Sequence, residues 1–284
     1  LKPLVERYIG SLPTAKKAGN VYTDGTQAGG MLAYLVGGTE IKGCVNKGNI
    51  TSSNNKAGGI FGTSVKDTKN VCAIAVENCI NYGTVSAPKV AAGIVGRLGR
   101  AVQIEGMNYM IKNCINYGDV KAYTAITYDK ATLYIGGIAG YATGNAAVID
   151  NCTNSAKVAL TAKGAINAVT TIGGILGSSS SEIGNNVSAG TLSANVTLSN
   201  CVNNGEVRWS YNTKPSGDAF NNLCFGGIVG YLEGGLSNCV NNGFLYAHGW
   251  RTTDDGSCYT KYLAFGGVAG VAVGNVTKCH NNGN

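Results

Sequence analysis

The chain of 284 residues is poor in charge, in proline and in long apolar runs. Asp, Glu, Lys and Arg together make up 13%, about half the usual share. The formal charge is +7, but Lys and Arg are scattered, with no run longer than Lys16-Lys17. A nucleic-acid surface needs a dense basic patch, so no nucleic-acid partner is expected. No apolar run reaches the roughly 18 residues of a membrane span, so no direct membrane insertion is expected. Proline is scarce at four, and glycine does not fall at every third position, which excludes collagen. Apolar residues recur throughout, which argues against long disordered tracts. CxxC spacing is absent, and His248 and His280 lie far apart. Structural zinc needs four converging ligands, so no metal and no cofactor are expected. G-x-S-x-G, H-E-x-x-H and P-loop patterns are absent as well, and no catalytic residue is assigned. The expectation is that this chain is not an enzyme. It starts LKPLVERY, without Met or an apolar leader, and ends HNNGN inside a motif, so a cut from a longer chain is expected.

What is present is repetition. Ten cysteines are too few for a disulfide scaffold, but seven of them share one motif. These are Cys44, Cys79, Cys114, Cys152, Cys201, Cys239 and Cys279, at intervals of 35, 35, 38, 49, 38 and 40 residues. An asparagine follows two places later in every copy: Asn46, Asn81, Asn116, Asn154, Asn203, Asn241 and Asn281. A glycine stands four after the cysteine except at Ala156. A second motif alternates with the first, as in AGGIFG ending at Gly62 and FGGIVG ending at Gly230, with Ala92 replacing the first glycine of the third copy. From its second glycine to the next motif cysteine the chain runs 12 to 27 residues.

A period near 35 to 40 marks a stacked repeat. Glycine pairs and Asn-Gly steps oppose helix, so both pieces read as short strands. The expected fold is all-β: a parallel β-solenoid of the β-helix kind, three short strands per coil, with hairpin inserts. Residues 1–25 form a lead-in or cap, and 26–284 form one domain of seven units. Like residues would lie over like residues about 4.8 Å apart. The seven cysteines would then form an inward ladder of free thiols, with Ile228 and Val207 and their counterparts forming others. The seven asparagines would form an amide ladder. The alternative is an antiparallel repeat or a β-propeller, whose blades run to about 40 residues.

The alternating G-G-I-V-G-Y and N-C-x-N-x-G-x-V pieces resemble the GLUG-type repeats of large bacterial surface proteins. The resemblance covers about residues 26 to 284, although Thr153-Asn154-Ser155-Ala156 departs from the usual turn. It implies a β-rich stalk, display or adhesion module, extracellular or at the cell surface. Such repeats also occur beside the protease domain of some secreted immunoglobulin A peptidases. The resemblance carries no catalytic residues to transfer.

Candidate ligand contacts come from three long aromatic inserts, ending near Tyr134, Cys224 and Phe265. They contain Tyr123, Tyr128, Trp209, Tyr211 and Trp250, with Asp254 and Asp255 beside them. A flat ring stacks on an apolar sugar face at little entropic cost, and a carboxylate orients hydroxyls. The expected partners are a host or surface glycan or protein and the rest of the parent polypeptide. The rival readings are a carbohydrate-binding module of a larger enzyme, and a β-helix polysaccharide lyase or hydrolase. A Cys224–Cys258 bridge is a further expectation, since both precede a glycine pair in successive repeats.

Overall fold

The computed structural model describes residues 19–35, 39–64, 73–99, 109–124, 128–143, 145–162, 166–180, 195–211, 220–248 and 260–283. They form a parallel β-solenoid of seven coils. Every coil adds one strand to each of five seven-stranded sheets. In the third coil these strands are Val85–Ala87, Val90–Ala92, Val95–Leu98, Tyr109–Lys112 and Ile115–Asn116, in sheets 1 to 5 respectively. All pairings link equivalent strands of successive coils and run parallel, for example Val85 to Ile50 and to Val120. The antiparallel and propeller alternatives are therefore excluded. The first rung of sheet 1 is Val21–Thr23, ahead of residue 26.

Each coil holds five strands rather than three, because both motifs break a strand. The glycine pair turns the chain between sheets 2 and 3. The residue before each motif cysteine turns it between sheets 4 and 5. That residue is left-handed in all seven coils: Gly43, Asn78, Asn113, Asn151, Asn200, Asn238 and Lys278, with φ between 50° and 65°. Asparagine tolerates this region better than most residues, which accounts for its recurrence there.

The interior has two separate apolar lobes. The first lies between sheets 3 and 4, with the cysteine ladder and the column Ile60, Ile94, Ile138, Ile175 and Ile228. The second lies between sheets 1 and 2, with Ile50, Val85, Val120, Val158 and Val207. Truncating one such buried Ile to Ala costs about 2–5 kcal/mol.

From the fourth coil onward the join between sheets 1 and 2 lengthens. The inserts do not fold as separate antiparallel hairpins where the structure describes them. They extend sheets 1 and 2 outward as an arm, and the extended strands pair in parallel with the next coil: Tyr123 with Thr161, and Thr161 with Ser210. Parallel pairing satisfies the backbone of each extension without a turn of its own.

Candidate functional site

The two motifs meet inside the coil. Each motif asparagine from Asn46 to Asn241 is buried, and its Nδ2 donates to Oδ1 of the asparagine in the next coil. The six links run unbroken from Asn46 to Asn281 at 2.7–2.8 Å. The second Nδ2 hydrogen goes to the carbonyl two residues on, and the N–H of that same residue donates back to Oδ1, as for Asn81 and Gly83. Each interior amide thus fills all four of its hydrogen-bonding positions, which a buried amide requires. Ala156 keeps both bonds to Asn154, because they use only backbone atoms. The departure at the fourth turn leaves the ladder intact.

Opposite every asparagine stands the second glycine of a pair. A Cβ on Gly59 would lie 2.5 Å from Cγ of Asn81, and one on Gly174 would lie 2.3 Å from Cγ of Asn203. This position is glycine in all seven copies: Gly30, Gly59, Gly93, Gly137, Gly174, Gly227 and Gly267. The contact pinches the coil into a waist between the two lobes, so the motifs recur together because they touch.

The cysteines line the first lobe. Each motif thiol donates to the carbonyl two residues back, at 3.2–3.6 Å. All described cysteines are free. Burial first, then hydrogen bonding to the thiols of Cys114 and Cys201, holds Cys152 well above the ordinary thiol value. Cys79 and Cys239 are held up likewise by their thiol neighbours and by burial, so these three are protonated packing groups. Cys224 is also free, pushed up to about 12 by burial, and its neighbour in the next coil is Ala264. The expected bridge to Cys258 is not formed, because the register places Ala264 beside Cys224. Cys72 and Cys258 themselves lie outside the described residues.

The pinched waist leaves a crease on the outside, between sheets 2 and 3. Its two walls carry the residues that flank each glycine motif, seven positions apart. Coil by coil these are Gln27 and Tyr34, Lys56 and Thr63, Val90 and Arg97, Tyr134 and Tyr141, Thr171 and Ser178, Cys224 and Tyr231, Ala264 and Val271. A third cluster fills part of it, built from Val90, Tyr134, Tyr141, Cys224 and Tyr231. The rings of Tyr134 and Tyr141 meet across it, with centroids 4.8 Å apart. The Arg97 guanidinium carbon lies 5.2 Å from the Tyr141 ring centroid. Tyr231 donates to Glu233 Oε1 at 3.2 Å. Sequence reasoning missed this crease. Its signal was available as the pair of residues bracketing each glycine motif.

The arm treats its predicted residues unequally. Trp209, expected as an exposed ring, is 6% exposed and packs in the second lobe. Side chains alternate along a strand, so two residues after the inward Val207 the chain points inward again. Tyr123 is 38% exposed, on a column shared with Thr161, Ser210 and His248. Tyr128 and Tyr211 sit in the strands Tyr128–Gly136 and Val207–Tyr211, and nothing more is described of their side chains. Trp250, Asp254 and Asp255 lie outside the described residues. Of the seven candidates the structure thus describes the side chains of two, Tyr123 on the outer face and Trp209 in the second lobe, and it does not bring these two together. Two further aromatic groupings lie on the outer faces. Tyr82 and Tyr117 stack at 5.2 Å where sheet 5 turns into sheet 1. On the last coil Phe244, Tyr246 and His248 form a row, with the Arg208 guanidinium 4.0 Å from the Tyr246 ring centroid.

Charges on the outer faces pair along the solenoid axis. Sheet 4 carries Lys42, Glu77, Lys112 and Asp150 on successive rungs, with Lys42–Glu77 at 3.8 Å and Lys112–Asp150 at 3.6 Å. Burial works to raise the Asp150 carboxyl, but bonds from Ser199 and Asn200 and the Lys112 charge hold it below its ordinary value. Such half-exposed pairs contribute at most about 1 kcal/mol each. Their alternating sign favours this register over a slipped one. Among the described residues no group of three or more His, Cys, Asp or Glu is placed to hold a metal ion. Among the described residues no helix is long and apolar enough to cross a membrane.

Residues 131–159 match the GLUG motif. The matched stretch contains one glycine pair and one Cys-Asn piece, and so includes Gly137 and Asn154, which face each other across the waist. One GLUG motif thus supplies sheets 2 to 5 of a coil and the start of the next rung of sheet 1. The motif fits a module of a surface or secreted protein. The chain is also similar to the crystal structure of a putative immunoglobulin A1 protease from Bacteroides ovatus. They share 20% sequence identity with a TM-score of 0.45, over 88% of this chain and 68% of that one. No curated protein matches the chain by sequence.

Proposed function

We propose that this chain is a non-catalytic display or stalk module of a secreted or cell-surface bacterial protein, with a glycan or protein contacted from its outer faces. The observation that carries this reading is the amide column. It commits the interior of every coil to holding one coil on the next, which leaves variation to the outside. Parallel ladders and filled amides make a stiff rod, suited to holding a partner domain or a binding surface away from its anchor. The exposed rings Tyr123 and Phe244, with the half-buried Tyr246 beside Phe244, supply flat apolar area beside hydroxyls, the combination that sugar recognition uses. The GLUG motif supports the extracellular setting.

Two measurements test this. Antibody against the chain should label intact, unpermeabilised cells of the producing organism. A glycan array probed with the purified chain should show binding that Tyr246→Ala weakens, with the melting temperature retained. Labelling confined to permeabilised cells would end the surface reading. Depolymerisation of a polysaccharide by the purified chain would end the non-catalytic one.

A further inference from the structure

We propose that the crease between sheets 2 and 3 binds one oxyanion, a carboxylate or sulfate group, at the second to fourth coils, through Lys56 and Arg97 with Lys89 beside them. This goes beyond the display reading and does not depend on it.

The register assembles the site. Lys56 lies one rung from Val90 on sheet 2, and Lys89 precedes Val90. Arg97 faces them from sheet 3, one rung from Tyr141. Three cations therefore approach one another along a narrow crease whose turn is made of glycine. Lys56 feels the crowding: burial first, then the charges of Arg97 and Lys89, lower its affinity for a proton. Cations brought together against repulsion ordinarily have acids between them. Here neither Lys56 nor Arg97 belongs to any of the ion pairs among the described residues. Among the described residues Glu77 is paired with Lys42 on sheet 4 and Asp119 with Lys121 at sheet 1.

A second observation points the same way. The Tyr141 hydroxyl and the Arg97 Nε are sealed from solvent and have no hydrogen-bond partner, in a Tyr141 side chain only 2% exposed. Both atoms are donors, and the Arg97 guanidinium lies over the Tyr141 ring. A buried donor without an acceptor is costly, and a solenoid that fills every amide at its waist leaves these two open. An oxyanion supplies what is missing: negative charge for two cations, and lone pairs for the guanidinium fork. The tyrosine rings are themselves buried, so the recognised feature is the anionic group and not a sugar face. That group is carried either by a free ion or by an acidic polysaccharide.

The intact chain is titrated with sodium sulfate and, separately, with an oligogalacturonate, against sodium chloride of matched ionic strength. Side-chain resonances of Arg97, Lys56 and Tyr141 are followed, with Lys112 and Lys157 as exposed controls. The proposal expects saturable shifts confined to the crease. Lys56→Gln and Arg97→Thr should each weaken binding about tenfold or more, the loss of roughly one charge-assisted bond. Both replacements already stand at equivalent rungs, as Gln27 and Thr63, so the fold is expected to survive, and a melt checks it. Competition between the two ligands assigns the site to a pendant acidic group, while sulfate binding alone assigns it to a free ion. Shifts that do not saturate, that appear equally at Lys112, or that persist in both variants overturn the proposal.

Discussion

The waist and the crease lie on opposite sides of the same glycine turn, yet they behave in opposite ways. At the waist every coil repeats the same pair, a glycine against an asparagine amide. In the crease no two coils carry the same pair of wall residues: lysine and threonine, then valine and arginine, then two tyrosines. A ladder that bonds along the axis requires the same group on each rung. A wall that faces outward has no such requirement, and is free to become a site. Repetition in this sequence therefore marks architecture, and departures from it mark the places to look for function.

The largest effect that would break this comparison is expected at Gly174. Gly174→Ala sets a Cβ 2.2 Å from the Gly227 carbonyl and 2.3 Å from the Asn203 side chain. Thermal melts should show a loss of about 4 kcal/mol or more, or failure to fold. Next comes Asn203→Ala. It strips partners from Asn154, Asn241 and both backbone groups of Gly205, and should cost about 2–4 kcal/mol by chemical denaturation. Cys201→Ser places a hydroxyl in an apolar ladder and should cost about 1–3 kcal/mol. The smallest effect has the opposite sign. Thr170 is fully buried between Leu133 and Leu223, and its hydroxyl has no partner. Thr170→Val should stabilise by about 1 kcal/mol, seen as a higher melting temperature.

Much of the frame was legible in the residues. The spacing of Cys44 to Cys279 gave the coil, and the recurrence of Asn46 to Asn281 gave the amide ladder. The strand count was not legible, because a glycine pair reads as the edge of a strand and not as a corner between two. The left-handed residue before each cysteine, Asn or Gly in six coils and Lys278 in the last, reads in the sequence as part of the strand. Trp209 was misplaced by treating an aromatic insert as outside the stack, although counting by twos from Val207 places it indoors. The direction of the arm depends on pairing between coils, which no single insert displays. The crease was hidden for a simpler reason: its walls are the positions that do not repeat, and a search for repeats passes over them.

The central claim is that seven amides form one continuous column, buried from Asn46 to Asn241, set against seven glycines. Hydrogen exchange of the assigned asparagine side-chain Nδ2 groups, followed by NMR, tests it most directly. Asn81, Asn116, Asn154, Asn203 and Asn241 should exchange slowly, with protection close to that of the surrounding strand amides, while the exposed Asn281 exchanges fast. Rapid exchange at the five interior positions would contradict the account.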